Sequence, residues 1–150
     1  MSYALARPVL VDIVEAVTPT TAALGTDGKF RHDPRGDDAQ PVGGRRRFWF
    51  RTVNALRRGP FRRTANELTY DIELVIEYQA VTDTAKLDDV IVADFEAVTA
   101  ALANDLNWQR PSSTIRNVGA VDANVLFGAV VEDIDGGRRL RVSFPLEVTA

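Results

Sequence analysis

The segment from Thr69 to Gln79 constrains this chain more than any other. Tyr70, Ile72, Leu74, Ile76 and Tyr78 fall on one face of an extended backbone. Asp71, Glu73, Glu77 and Gln79 fall on the other, where Val75 is the one apolar member. A period of two describes a half-buried antiparallel strand with one wet side. The period then changes. Leu87, Ile91, Phe95, Val98, Leu102 and Leu106 recur at spacings of three or four, which predicts one stripe of a helix of about twenty residues. Asp83 or Thr84 supplies an N-cap, and Asp88 and Asp89 in the first turn suit the helix dipole. The run from Asn107 to Ser113, with Pro111, stops the helix.

The flanking segments complete an α+β reading. Strand period begins at Arg45, with Phe48, Phe50 and Thr52 on one side and Trp49, Arg51 and Val53 on the other. After the helix come a weak strand from Thr114 to Val121, an apolar one from Asn124 to Ile134, and a cleanly alternating one from Arg138 to Val148. In the last, Leu140, Val142, Phe144, Leu146 and Val148 point inward. Asp135, Gly136 and Gly137 make a hairpin signal between the final two strands. Pro145 cannot donate to a ladder and predicts an edge strand there. Toward the N-terminus, Val9, Ile13, Val14 and Val17 predict a helix beginning at Pro8, within the span 8–24, with Pro8 in the first turn and Pro19 ending or interrupting it. The segment from Gly25 to Gly44 holds five glycines and two prolines and almost no large apolar residue. It reads as a long flexible loop or an arm that orders against a neighbour. The expectation is one domain over 1–150. Its core, 45–150, is an antiparallel sheet of about four to five strands packed by one long helix.

Composition narrows the chemistry. There is no cysteine, which excludes a disulfide scaffold, a thiolate metal site and a cysteine nucleophile. His32 is the only histidine, so one chain offers no His–His metal pair. Charges interrupt every apolar stretch well short of the ~20 residues that a spanning helix needs, so no membrane partner is expected. Asp12 and Glu15 spoil any signal peptide near the N-terminus, and the chain reads as made and used in a cytoplasm. The pattern holds no nucleophile elbow, phosphate loop, paired-histidine zinc motif or dinucleotide fingerprint. The run Gly25-Thr26-Asp27-Gly28-Lys29 has the wrong spacing for a phosphate loop. His32 with Asp33, Asp37 and Asp38 offers metal-ligand types without rigid support. The outward Asp71, Glu73 and Glu77 imitate a glycosidase pair but more simply describe a solvated sheet face. No enzyme and no cofactor are expected.

The net charge of −3 hides a segregation. Between Arg45 and Arg63 stand Arg45, Arg46, Arg47, Arg51, Arg57, Arg58, Arg62 and Arg63, with no acid among them. From Glu67 to Asp105 there are ten acids, Asp71, Glu73, Glu77, Asp88, Asp89, Asp94 and Glu96 included, and one base, Lys86. Arginine interleaved with Phe48, Trp49, Phe50 and Phe61 suits nucleic acid, through phosphate pairing and stacking. It equally suits a protein interface, or head-to-tail assembly of a basic surface on one subunit with an acidic surface on the next. An acidic chain binds DNA against its own field, which favours assembly.

From Arg45 to Val148 the layout resembles the tail terminator proteins of tailed bacteriophages. The likeness lies in the alternating strand LTYDIELVIEYQA, the helix LDDVIVADFEAVTAALAND and the closing hairpin VLFGAVVEDIDGGRRLRVSFPLEV. It is a likeness of layout, and no functional residue is carried over from it. It implies a non-enzymatic virion protein at the tail–neck junction. Six copies would form a ring that caps the tail tube, meets the head–neck connector or stopper, and lets genome DNA pass without sequence-specific binding. Related neck and head-completion proteins share parts of this plan. On this reading the arginines from Arg45 to Arg63 face the neighbouring subunit's acidic helix or the channel, with the acids named above as the counter-surface.

Overall fold

The computed structural model describes residues 2–19, 29–36, 45–58, 67–79, 84–109, 114–121, 124–134 and 137–149. The fold is α+β, with two helices and a curled, mixed sheet of six strands. Helix α1 spans Ser2–Glu15 and is followed by strands β1 (Arg31–His32), β2 (Arg45–Arg58) and β3 (Glu67–Gln79). Helix α2 spans Thr84–Ala103, and a short 3-10 turn covers Asp105–Asn107. Strands β4 (Ile115–Val118), β5 (Ala120–Val121), β6 (Asn124–Val125), β7 (Gly128–Ile134) and β8 (Gly137–Thr149) complete the chain. The sheet runs β1-β2-β3-β8, and β8 carries β4 and β7 along its far side; β5 and β6 form a separate ribbon.

The apolar alternation of β3 and β8 builds the inner face. Ile72, Leu74, Ile76 and Tyr78 lie beside Leu140, Val142, Phe144, Leu146 and Val148 in a continuous antiparallel register, and Phe48 and Phe50 of β2 extend the layer. Ala6, Leu10, Ile13 and Val14 of α1 pack on it, with Leu87, Val90, Ile91, Val98 and Leu102 of α2. Burying such side chains contributes roughly 1.5–3 kcal/mol each, and this layer is the main stabilising element.

Several expectations need correction. The sheet is mixed, because β1 pairs with β2 in parallel. β1 arises inside the segment expected to be a long loop: Phe30 is buried, and Asp33 N–H donates to the Phe48 carbonyl at 2.9 Å. Positions 25–28 and 37–44 of that segment lie outside the described residues. Helix α1 starts at Ser2, well before Pro8, and carries the proline internally. Ala4 and Pro8 are both exposed, so the backbone position that Pro8 cannot satisfy lies on the outer side of the helix, while Ala6 and Leu10 anchor the other face. Leu106 is 80% exposed, because the helix ends at Ala103 and the next turn rotates it away from the core. Trp108 takes its place, its indole N–H donating to the Leu102 carbonyl at 2.9 Å.

Pro145 does not mark an edge. β8 has β3 on one side throughout, and on the other side β7 ends at Ser143 where β4 begins at Leu146. Pro145 sits at that junction. Its carbonyl accepts from Gly119 N–H at 2.8 Å, so the missing proline N–H also faces the gap and β3 loses nothing. Gly119 has φ +77°, and a Cβ there would lie 2.0 Å from the Phe127 ring, so both the backbone and the packing require glycine.

Candidate interaction surface

The arginine block of β2 divides between the two faces of the sheet. A bulge between Arg45 and Arg47 puts Arg46 in the left-handed region at φ 57°. This costs on the order of 1 kcal/mol for a non-glycine residue and turns the side chain inward. Arg46 Nε donates to Asp94 Oδ2 at 2.7 Å and Nη2 to Oδ1 at 3.2 Å, a bidentate pair sealed in the core. Tyr78 Oη donates to the same Oδ2 at 2.8 Å. The guanidinium lies 5.7 Å from the Phe30 ring centroid. Burial pushes the Tyr78 phenol well above its ordinary value, and the Asp94 carboxylate pushes it further. Arg46 and Asp94 were both expected on surfaces. Asp94 lies three residues after Ile91 and four before Val98, so the stripe that buries them buries it too.

The outer face holds Arg47 and Arg51 in a lattice of charge. Asp33 accepts from Arg35 N–H at 2.9 Å and from Arg47 Nη1 at 2.8 Å. Arg47 Nη2 continues to Glu77 Oε1, and Glu77 Oε2 accepts from Arg139 Nη2 at 2.8 Å. Arg139 Nη1 reaches Glu132 at 3.3 Å, and Arg141 Nη1 reaches it at 3.5 Å. Arg141 Nη2 then donates to Glu73 Oε2 at 3.0 Å, whose other oxygen accepts from Arg51 Nε at 2.6 Å. Cations and anions alternate along the whole path, from Arg35 to Arg51. Trp49 and Val75 form its apolar floor, with the Arg47 guanidinium 4.5 Å above the Trp49 ring. Opposite charges on adjacent strands hold one another in place.

The face of β3 expected to be wet is therefore covered: Glu73 and Glu77 are buried under arginines. Burial alone would raise the Glu73 pKa, but the hydrogen bonds from Arg141 and Arg51 outweigh it and lower it. The Arg47 hydrogen bond leads in holding Asp33 far below the usual carboxylate range. His32 turns to the opposite side, its ring 5.4 Å from that of Phe48, and burial lowers its pKa. Adjacent strand residues point apart, so His32 and Asp33 do not converge, and among the described residues no three metal-ligating side chains come together.

Of the other residues singled out in the sequence, Arg45, Arg57 and Arg58 lie on β2, and Arg62 and Arg63 lie outside the described residues. Asp71 is exposed on β3; Asp88, Asp89 and Glu96 are exposed on α2, and Asp88 accepts from Arg138. Arg35, Glu132, Arg139 and Arg141 escaped the sequence reading. The signal for the last two was their outward alternation on β8, in register with Glu77 and Val75, beside Glu73.

The open feature of the molecule is β7. It pairs with β8, and among the described residues no strand covers its other edge. Val130 and Val131 are 54% and 46% exposed on opposite faces, and Leu126 just before the strand is also exposed. Ile91, Val92, Phe95, Ala129, Val131 and Leu140 line an apolar groove of about 320 Å³ between β7 and α2. No described helix is long and apolar enough to cross a membrane. Neither the protein-family models nor the curated proteins include a match to this chain.

Proposed function

We propose that the chain is a structural protein of a bacteriophage virion that assembles into a ring at the tail–neck junction, as a tail terminator does. In this reading six copies cap the tail tube and contact the head–neck connector or stopper, and genome DNA passes through the channel without being read. The protein works by shape and contact, with no cofactor and no catalytic step. The observation that carries the reading is the β7 edge, which no strand covers among the described residues, with exposed valines on both faces. Such an edge is a template for pairing with another chain, and solitary proteins usually blunt it. The layout shared with tail terminators gives the setting. Other neck and head-completion proteins would use the same edge, and tail-tube and connector genes flanking the coding gene are the expected neighbourhood.

Nucleic-acid binding through the arginine block is the less favoured alternative. Arg46, Arg47 and Arg51 hold carboxylates of their own chain, so phosphate would have to displace them. Light scattering of the purified chain, paired with a DNA titration at two salt concentrations, separates the readings. Ring assembly predicts an oligomer and weak, salt-insensitive DNA binding. A monomer that binds DNA with a steep salt slope would replace the assembly reading.

A further inference from the structure

We propose that copies of this chain join head to tail along the sheet, the β7 edge of one copy against the β1 edge of the next. This rests on the ring reading and names the surfaces that close the ring. Three observations carry it. The first is strand direction. β1 runs parallel to β2, and each step from β2 through β3 and β8 to β7 is antiparallel, so β1 and β7 run in opposite directions. Rotation about an axis along the strands preserves direction, so β7 meets the next copy's β1 antiparallel and the sheet continues across the joint.

The second is register. One row of the sheet reads Arg31, Arg47, Glu77, Arg139, Glu132 from edge to edge. It begins on an exposed cation and ends on a half-exposed anion. Repeating the molecule sideways sets Arg31 of one copy beside Glu132 of its neighbour and extends the charge lattice across the boundary. Glu132 has the capacity for it. Its two arginine contacts, at 3.3 and 3.5 Å, are long, and a carboxylate accepts about four hydrogen bonds. The wider surroundings agree in sign: Lys29, Arg31 and Arg35 are exposed near β1, whereas Asp133 on β7 and Asp88 on α2 are exposed around Arg138.

The third is the adjacent row, His32, Phe48, Ile76, Leu140, Val131. It is apolar across the sheet and ends on the exposed Val131, which the joint places against the next copy's half-buried His32. Charge is thus matched on the outer face and apolar surface on the inner one, at the same height.

Because the chain has no cysteine, an engineered pair tests the joint directly. Arg31→Cys with Glu132→Cys places two thiols at opposite edges of one chain, roughly 19 Å apart along the sheet. That is far beyond the Cα separation of about 7 Å that a disulfide allows. Mild oxidation should therefore give a ladder of linked multimers that collapses on reduction, and neither single variant should give one. Dimers from Glu132→Cys alone would mean two-fold β7–β7 pairing and overturn the proposal. Absence of a ladder while light scattering reports oligomers would overturn the joint but leave the ring reading standing. Absence of both would overturn the two together. Arg31→Glu, which leaves the Glu132 contacts intact, gives an independent reading: the oligomer should shift to monomer, and an unchanged oligomer contradicts the proposal.

Discussion

Arg46 and Arg47 are adjacent in sequence, and the β2 bulge sends them to opposite faces of one sheet. Arg46 enters an apolar core and pairs with Asp94, with Tyr78 as the third member. Arg47 lies over Trp49 and shares Asp33 and Glu77 with other arginines. Both make arginine–carboxylate pairs, yet the two settings behave differently. A sealed pair has no solvent to compensate a missing partner, and its desolvation cost can match its attraction. In a partly solvated lattice the groups between the two ends of the path have two partners each, water replaces a lost one, and salt screens the remainder. The inner pair therefore fixes the position of α2 over the sheet, and the outer lattice stiffens the sheet that carries β7.

The largest expected effect comes from the inner pair. Asp94→Ala removes the carboxylate that neutralises Arg46 in the core and should cost about 3–5 kcal/mol in urea unfolding. The double variant Arg46→Met with Asp94→Leu should cost markedly less, because no buried charge remains. If the double variant is as damaging as Asp94→Ala, the pair itself rather than its completeness is what stabilises. Glu77→Ala on the outer face should come next, at about 1–3 kcal/mol, since Arg47 and Arg139 keep other partners. Its loss should shrink at high salt, while that of Asp94→Ala should not; equal salt sensitivity would erase the distinction between the faces.

Acid gives a gentler probe. His32, Asp33 and Glu73 all have folded pKa values below their unfolded ones. Such groups contribute stability above the unfolded pKa and lose it as pH falls through the folded one. Stability should thus decline slightly below about pH 6.5 as His32 protonates, and more steeply below about pH 4 as the carboxylates do. A melting temperature that rises on acidification through this range would contradict the lattice. The smallest effect is expected at Arg35, whose side chain is 73% exposed where it touches Asp33. Arg35→Ala should change stability by about 0–1 kcal/mol.

Periodicity made much of this fold legible. The apolar sides of β3, β8 and α2 follow from spacing alone, since a two-residue or 3.6-residue repeat leaves one way to bury them. What escaped depends on contacts between distant segments. Asp94 looked like one acid of a solvated helix face, although it sits in register with the apolar stripe; Arg46 and Tyr78, 48 and 16 positions away, explain its burial. Glu73 and Glu77 looked wet because their covering arginines lie on β2 and β8. Arg46 could not be placed inside without the bulge, which displaces it from strict alternation. Pro145 misled because the rule against proline in a central strand assumes a continuous neighbour, and here β7 gives way to β4 at that residue. The open edge at β7 looked like any apolar strand until the sheet order showed nothing on its far side among the described residues.

The central claim is that the chain is a ring component of a virion. Electron microscopy of purified particles and of isolated tails, from the genome that encodes the chain, tests this directly when combined with mass spectrometry of the same preparations. The ring reading predicts this protein in intact particles, as a single ring at the head-proximal end of the tail tube. Absence of the protein from intact particles, with the tail–neck ring built from another chain, would contradict it.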